Sequence, residues 1–560
     1  MAFQLSPGIN VSEIDLSTVV PSVSTSFGAF AGVFSWGPAN EVVTISDEIR
    51  LAEQFGKPND TTAEYFFSAA NFLAYSNNLK VVRAANAATT LTATANGAPN
   101  VAITNSEVYY ATYSGGANTY GEFAAKYVGS LGNSLRVEIA DSNTYTGWAH
   151  ANQFTSIPAT SEYASARSGA NDEVHIVVID AGGLITGSAN SVIEKYSFAS
   201  KASDAKSSDG TSNYYKDVLN TRSKYIWWMS HPTGLAGSNW GSAAANTTFV
   251  QLATGVNKRL TNGADGTVTV GDLTNAWNKM ANADTVEASL FISGPAANTL
   301  SNSITTIVER RKDAMVFLSP LKTNVVNNSG GELTAIKAYR ESLTASTYAV
   351  LDSGWKYQYD KYNDIYRWIP LNGDIAGLCA RTDLERDPWF SPAGSARGVI
   401  RNVVKLAWNP SQTDRDELYL KAINPVVSFP GEGTILYGDK TLTSRPSAFD
   451  RINVRRLFIT LEKAIARAAR SSVFEFNDQF TRAQFVNLVE PYLRDVQGRR
   501  GITDFRVVCD ATNNTQEIID RNEFVGDIYI KPTRSINFIQ LNFIAVRSGV
   551  SFDEIVGRTV

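Results

Sequence analysis

The clearest pattern of apolar and polar positions in the chain extends from Ser447 to Ser472. At about 100° per residue, one face of a helix here carries Val454, Leu457, Phe458, Leu461, Ile465 and Ala468. The opposite face carries what we call the basic stripe: Arg456, Lys463, Arg467 and Arg470. Ser447 is expected to cap the helix, and the Asp450 carboxylate is placed to complement the helix dipole. The pattern predicts a long helix whose apolar face packs in a core.

Residues 24–84 predict the beginning of a mixed domain. Apolar runs and helical periodicities occur in the order strand 24–39, strand 42–45, helix 47–55, helix 61–75 and strand 79–84. Gly37-Pro38 ends the first strand in a turn, and Gly56 and Pro58 end the first helix. The order β-β-α-α-β indicates strands and helices packed in layers around one core.

The composition then changes, and residues 106–190 become rich in Tyr, Thr, Ser and Gly, with short alternating runs at 135–141 and 173–180. This pattern is typical of an all-β module, and its polar loops indicate an insertion that faces outward. Further along, 286–294, 297–312 and 314–320 predict a β-α-β unit with parallel strands. Its first turn lacks the glycines of a phosphate-binding loop, so we interpret the unit as scaffold.

Both ends of the chain predict extended structure. Residues 1–23 alternate polar and apolar positions and carry Pro7, Gly8 and Pro21, so they are too isolated to fold alone. Residues 536–549 form an apolar-rich strand close to the C-terminus. Such segments either fray or add to the edge of another sheet. Between the two ends, residues 354–370 form an aromatic run that predicts a hairpin.

Composition narrows the class of protein. A chain of 560 residues is too long for one core, and we expect about three or four domains. The net charge of −4 argues against a general nucleic-acid coat, so the basic stripe is either a solvated surface or a docking strip for an acidic protein. With only two cysteines, neither a disulfide framework nor a thiolate metal cluster is expected. We find no signal peptide and no membrane span, and expect a soluble protein made in the cytoplasm.

A search for catalytic chemistry finds no convincing site. The three histidines have no metal-ligand spacing, and His175 lies in a strand pattern, which favours a core position. The segment GTILYGDKT (433–441) resembles a phosphate loop, but Asp439 separates Gly438 from Lys440 and would face the phosphate. The carboxylates of Asp364, Asp374, Asp383 and Asp387 lie among Arg381 and Arg386 and are expected to form internal salt bridges. We predict no enzyme activity and no cofactor.

Several stretches resemble the tail sheath proteins of contractile-tailed bacteriophages. They occur in the family's order: PGINVSEIDLS (7–17), FAGVFSWGPANEVVTIS (30–46), the stretch through LKVVRA to 84, KYVGSLGNSLRVEIAD (126–141), GDIAGLCARTDLERDPWFSPAG (373–394), SFPGEGTILYGDKTL (428–442) and FDRINVRRLFITLEKAI (449–465). The last three are the most specific, and the resemblance covers nearly the whole chain. It implies a mechanical protein whose subunits stack as hexameric rings around an inner tail tube and contract to drive that tube through the host envelope.

The resemblance also implies an α+β multidomain fold with terminal β-strand arms. We expect an N-terminal arm (1–23), a discontinuous inner domain (24–87 and 344–510), a middle domain (88–95 and 190–343), a β-rich outer insertion (96–189) and a C-terminal strand and arm region (511–560). The implied partners are other copies of the chain, the inner tail tube protein, and the baseplate and tail terminator proteins. Nucleic acid and membrane insertion are not expected, and the implied location is the virion tail.

In this family the arms hook neighbouring subunits together by strand addition. The expected N-terminal arm residues are Pro7, Gly8, Ile9, Val11, Ile14 and Leu16, and the C-terminal ones are Ile536, Phe538, Ile539, Leu541, Phe543 and Ile544. The alternative for both is a pair of edge strands within one chain. The basic stripe is expected to face an acidic inner tube, with a contact between sheath subunits or plain solvent as the alternatives. Two other functions compete: the sheath of a phage-derived injection device, and an adhesive or carbohydrate-active surface protein suggested by the aromatic run.

Overall fold

The computed structural model describes residues 24–116, 118–232, 239–443 and 445–537, and divides the chain into two compact units, Met1–Val473 and Phe474–Val560. The strands of the first unit are β1 (Gly28–Gly32), β2 (Val42–Ile45), β3 (Leu79–Arg83), β4 (Phe123–Ala125), β5 (Leu135–Ala140), β6 (Glu173–Asp180), β7 (Ser191–Ser200), β8 (Ile226–Trp228), β9 (Val256–Arg259), β10 (Leu290–Ile292), β11 (Met315–Leu318), β12 (Ala349–Leu351), β13 (Trp355–Asp360), β14 (Ile365–Pro370), β15 (Lys405–Leu406), β16 (Val426–Phe429) and β17 (Gly433–Leu436).

The helices of the first unit lie between these strands and after them. They are α1 (Glu48–Phe55), α2 (Ala63–Leu73), α3 (Ser106–Thr112), α4 (Glu162–Ser165), α5 (Tyr215–Arg222), α6 (Val270–Asn278), α7 (Asn298–Arg311), α8 (Lys322–Val325), α9 (Glu332–Glu341), α10 (Asn372–Glu385), α11 (Gln412–Leu420) and α12 (Ile452–Ala469). The second unit contains α13 (Gln479–Gly498), β18 (Ile502–Val508), α14 (Gln516–Asp520) and β19 (Asp527–Pro532).

A six-stranded sheet in the order β12-β11-β10-β1-β3-β2 organises the first unit, and all its pairs are parallel except β2 with β3. Its strands are short apolar runs because a parallel sheet is covered on both faces. Alternate side chains of β1 enter two different cores. Phe30 packs in a core that includes side chains of α2 and α10, whereas Ala29 and Ala31 pack in one that includes side chains of α6 and α7.

This sheet includes strands from two of the expected domains, whose division stays a prediction. β10 and β11 come from the stretch assigned to the middle domain, yet β10 pairs directly with β1 of the inner domain. The predicted boundary at residue 343 therefore does not separate two sheets. The predicted β-α-β unit is confirmed as β10-α7-β11, and it is part of the main scaffold.

The β-rich insertion is built on a four-stranded antiparallel sheet in the order β7-β6-β5-β9, with β4 and β8 forming a separate pair. The runs predicted at 135–141 and 173–180 are confirmed as β5 and β6. Because β7 and β9 lie beyond residue 189, the sheet needs strands from outside the expected insertion. The predicted hairpin in the aromatic run is confirmed as β13 and β14, which pair antiparallel.

Helix α12 is shorter than the predicted helix over 447–472. Arg451 precedes its first residue, and the Ser447 hydroxyl accepts a hydrogen bond from the Phe449 amide instead of capping the helix. The expectation of Ser447 as N-cap is therefore wrong. Residues 470–472 continue as a single 3₁₀ turn. In the second unit, α13 runs continuously through Pro491, and Asp478 caps it by accepting from the Thr481 amide.

The two predicted arms lie largely outside the described residues. All six N-terminal arm residues fall there, as do Phe538, Ile539, Leu541, Phe543 and Ile544 of the C-terminal segment. Ile536 is described; it follows β19 without being part of a strand, and its side chain is exposed. No helix in the described ranges is long and apolar enough to cross a membrane.

Candidate interaction site

Helix α12 enters the body of the first unit at its N-terminal end and emerges from it at its C-terminal end. Every residue from Ile452 to Leu457 is buried, whereas Glu462, Ala466 and Arg467 near the other end are exposed. The exposed fraction of the basic side chains rises in the same direction, from 3% at Arg456 to 12% at Lys463. It reaches 43% at Arg467 and 76% at Arg470. One face of the helix therefore meets two different environments along its length.

Arg456 forms a buried ion pair with Asp383 of α10. Its Nη2 lies 2.5 Å from Asp383 Oδ2, and its Nη1 donates to the Cys379 carbonyl over 3.2 Å. Burial alone would lower the pKa of Arg456, but the carboxylate of Asp383 outweighs this effect and the pKa is raised. Arg456 is thus held as a cation inside the fold, where it links α12 to α10.

The other cations of the basic stripe pair with the segment that leads into β10. Lys463 Nζ and Arg467 Nη2 lie 3.3 Å and 3.2 Å from the same Glu287 oxygen. Arg470 Nη2 lies 3.6 Å from Asp284. Partial burial would raise the pKa of Glu287, but Lys463 and then Arg467 hold it below its ordinary value. The two partly buried pairs fasten this segment to α12.

These contacts limit the tube-facing stripe, which stays a prediction, to part of its expected residues. Arg456 cannot face any partner because its side chain is enclosed by the fold. Lys463 is mostly enclosed and is engaged with Glu287, so only Arg467 and Arg470 present much charged surface. A helical wheel places all four residues on one face correctly, but it does not show that α10 and the segment before β10 cover the first part of that face.

Two contacts of this site were missed by sequence reasoning. Asp383 was expected in an internal salt bridge, which is confirmed, but its partner is Arg456 rather than the nearby Arg381 or Arg386. Thr25 also reaches Asp383: its Oγ1 donates to Oδ2 over 2.6 Å. No local signal connects residues separated by 358 positions in the chain, so this contact could only be found in three dimensions.

The second unit presents a different kind of interaction surface. β18 and β19 form an antiparallel sheet of two strands, in regular register from Val508 opposite Asp527 to Asp504 opposite Lys531, with a shift of register before Ile502 opposite Pro532. Val489 and Leu493 of α13 are buried. Within the described part of the chain neither outer edge of the sheet pairs with a further strand, which leaves the edges open to strand addition, although side chains of Gln497 and Asn513 bind the carbonyls of Thr503 and Val508.

The stretches considered for catalysis have structural roles. The His175 ring is buried and lies between the Ser156 carbonyl, which accepts from Nε2, and the Phe198 amide, which donates to Nδ1; burial lowers its pKa. In the loop after β17, Lys440 Nζ donates to the Tyr419 carbonyl over 2.7 Å instead of pointing into an open loop. No group of three potential metal ligands occurs among the described residues.

Three family models match the chain in order. The N-terminal region of domain III of the tail sheath protein Gp18 matches residues 28–84, the phage tail sheath central domain matches 266–442, and the phage tail sheath C-terminal domain matches 444–545. The tail sheath protein of Enterobacteria phage T4 is 35% identical, over 99% of this chain and 99% of its own length. The chain belongs to the phage tail sheath family. This confirms the resemblance found in the sequence, and the family is one of structural proteins of contractile tails rather than of enzymes.

Other comparisons agree on the family. The tail sheath protein of Vibrio phage KVP40 is 33% identical, over 99% of this chain and 100% of its own length. The crystal structure of the sheath tail protein from Listeria innocua superimposes on this chain with a TM-score of 0.53 at 12% identity. The match covers 92% of this chain and 93% of that one. The contracted helical sheath of the anti-feeding prophage matches with a TM-score of 0.50 at 13% identity, covering 97% and 99%. At such low identities these two structures support the fold alone.

Proposed function

We propose that this sheath protein polymerises as stacked hexameric rings around an inner tail tube, and that contraction of the rings drives the tube through the host envelope. The observation that carries the proposal is the 35% identity to the T4 sheath protein along the whole of both chains. The inner tube protein, the baseplate and the tail terminator are the proposed partners. The work would come from a metastable extended assembly that gains contacts between subunits as it contracts.

Subunits are proposed to stay linked through their arms while their bodies move. The unpaired edges of the β18–β19 sheet support this, because strand addition needs an open edge, and the two strands are in regular register between Asp504 and Val508. The N-terminal residues 7–20 and the C-terminal residues 536–549 would supply the added strands. Main-chain hydrogen bonds tolerate changes in the orientation of the bodies as long as the short joints beside each strand can turn.

Negative-stain electron microscopy of the full-length protein, beside a variant lacking residues 1–20, tests the linkage. Long striated tubes from the full chain and only monomers from the variant are the expected results. Tubes from both would contradict the role of the N-terminal arm but not the sheath function. The variant must retain the circular dichroism spectrum and melting temperature of the wild-type monomer, so that loss of tubes reports assembly and not folding.

The exposed end of the basic stripe supports a narrower proposal for the inner tube. Arg467 and Arg470 are the members of the stripe with large exposed fractions, and they are proposed to meet acidic groups of the tube in the extended state. Single exposed pairs are weak, about 0–1 kcal/mol each, which suits a contact that must release. Reversing both charges to Glu should reduce extended assembly on tubes while leaving the monomer folded; unchanged assembly on tubes would contradict the proposal.

The second candidate is the sheath of a phage-derived injection device. The fold is compatible with it, because the anti-feeding prophage sheath shares the architecture at a TM-score of 0.50. The phage relatives at 33–35% identity over whole chains favour a virion. Electron microscopy of particles released from the producing cells separates the two, since a virion carries a DNA-filled capsid on the sheathed tail and an injection device does not.

A further inference from the structure

The residues that join the N-terminal arm to the body are fixed before β1 begins. The Ser26 carbonyl accepts from the Ser76 hydroxyl over 3.1 Å, and the Phe27 carbonyl accepts from the amides of Ser289 and Leu290 over 2.9 and 3.1 Å. The Gly28 amide donates to the Asn78 carbonyl over 3.0 Å. The chain is therefore bound from both sides when it enters the sheet between β3 and β10.

The two residues that precede this stretch are held by helices rather than by strands. Thr25 is 6% exposed, and its hydroxyl donates to the same Asp383 oxygen that binds Arg456. Lys463 Nζ lies 3.4 Å from the Ser24 carbonyl. The first described residues of the chain thus meet α10 and α12 at a buried charged group.

We propose that Thr25, Asp383 and Arg456 form an arm clamp, which fixes where the N-terminal arm leaves the body and transfers the load on the arm into α10 and α12. This inference rests on the proposed role of the arm as the link between subunits. It extends that role by naming the residues of the body that receive the force. It also explains why Arg456 is buried. A buried ion pair is weak evidence of added stability, but it fixes the positions of the groups that form it.

The strand behind the clamp is suited to carry the same load. β1 is an interior strand, in parallel register with β3 from Gly28 to Gly32 and with β10 from Gly28 to Phe30. The hydrogen bonds on both sides of β1 would share a force that is directed along the strand. An edge strand pulled sideways would instead lose its bonds one after another. Because the clamp precedes β1, it takes the load first, through hydrogen bonds to charged groups, which are stronger than neutral ones.

The two donors of the clamp meet one oxygen of Asp383. Asp383 Oδ1 is buried and has no hydrogen-bond partner among the described residues, whereas Oδ2 receives both Thr25 and Arg456. Here both donors converge on one oxygen, which brings the start of the chain and α12 to a single point.

The test uses the full-length chain with two substitutions of one residue. Thr25→Val removes the hydroxyl and keeps the shape of the side chain, while Thr25→Ser keeps the hydroxyl. For each protein we would measure the melting temperature of the monomer and then, well below that temperature, the concentration at which half of the subunits sediment as tubes. The expected result for Thr25→Val is a rise of that concentration by about tenfold, the scale of one hydrogen bond to a charged group. Thr25→Ser should assemble like the wild type.

The outcomes separate the clamp from the arm itself. If Thr25→Val assembles at the wild-type concentration while the variant lacking residues 1–20 does not assemble, the arm is confirmed and the clamp is overturned. If the truncated variant also assembles normally, the role of the arm in the proposed function is overturned. A loss of assembly that Thr25→Ser does not restore would also overturn the clamp, because the hydroxyl would then not be the group that matters. Measuring each variant below its own melting temperature keeps a loss of folding from imitating any of these results.

Discussion

Lys356 of β13 and Asp374 of α10 form an ion pair that solvent does not reach: Nζ lies 2.9 Å from the carboxylate, and the side chains are 0% and 1% exposed. The Tyr75 hydroxyl lies 3.2 Å from the same carboxylate. Burial lowers the pKa of Lys356 and raises that of Asp374, so each group depends on the other to keep its charge. The pair connects the aromatic hairpin to the helix that covers the main sheet.

Removing one partner of this pair should lower the free energy of unfolding much more than removing both partners. Lys356→Met leaves the Asp374 carboxyl buried without its cation, and we expect the free energy of unfolding to fall by about 3–5 kcal/mol. Replacing both residues, as Lys356→Met with Asp374→Leu, should recover most of this loss because no buried charge remains. Urea unfolding of the monomer measures the wild type and both variants. Equal losses in the single and double variants would contradict the enclosed pair.

The basic stripe gives a second comparison within one helix. Arg456→Gln leaves the buried Asp383 carboxylate without its cation and should cost about 3–5 kcal/mol of unfolding free energy. Arg470 lies on the same helix face, and its pair with Asp284 is exposed. Arg470→Gln should therefore lower the free energy of unfolding by about 0–1 kcal/mol. Urea unfolding of both variants checks the expectation. Similar losses of unfolding free energy in the two variants would contradict the increase in exposure from Arg456 to Arg470 along α12.

Local patterns in the sequence identified secondary-structure elements, but they did not show which elements pack or pair with each other. The strands β5 and β6, the hairpin β13–β14 and the unit β10-α7-β11 follow from periodicity and turn residues, because those signals act within a few residues. The pairing of β1 with β10 does not, since both strands are short apolar runs that would suit any interior position of a parallel sheet. For the same reason the sequence did not show that one sheet takes strands from both sides of the boundary expected at residue 343, and that boundary stays a prediction.

In the candidate site, too, the sequence indicated the helix face on which each side chain lies but not the residues that it contacts. The helical periodicity correctly grouped Arg456 with Arg470 on one face, because a helical wheel depends only on spacing. The depth to which each is buried depends on what packs against α12, and Asp383 lies 73 positions away from Arg456. Thr25 is still farther away in sequence. Such long-range partners leave no trace in a single sequence, so the clamp could not be foreseen.

Acid should weaken the attachment of α12 to the segment before β10. The pKa of Glu287 lies below its ordinary value of 4.5 because Lys463 and Arg467 outweigh the effect of burial. A carboxylate with a lowered pKa stabilises the fold above its unfolded-state pKa, and this contribution is lost as the pH falls through the lower folded-state value. Thermal unfolding of Glu287→Gln should therefore differ from wild type at neutral pH, and the two should converge as the pH falls below the ordinary glutamate pKa and through the lowered folded-state value.

A carboxylate outside any ion pair provides the control for this pH series. Glu107, in the first turn of α3, is exposed and forms no ion pair within the described residues, so Glu107→Gln should follow the wild-type curve much more closely. If Glu287→Gln and Glu107→Gln gave the same dependence on pH, the attachment through Glu287 would be refuted. Because Glu287 is 39% exposed, added salt should also reduce its contribution.

Helix α10 approaches α2 closely at Gly373, and this contact should not tolerate a side chain. A Cβ at Gly373 would overlap the Ser68 carbonyl oxygen, which is main chain and cannot turn aside. We expect Gly373→Ala to lower the free energy of unfolding by about 1–3 kcal/mol, as overpacked cores do, although alanine is the better helix former. Gly498→Ala, at the end of α13, is the matched helical control, since nothing lies within 4 Å of its Cβ position. Urea unfolding should show no loss for Gly498→Ala, and an equal loss at both positions would contradict the close approach of α10 to α2 as the cause.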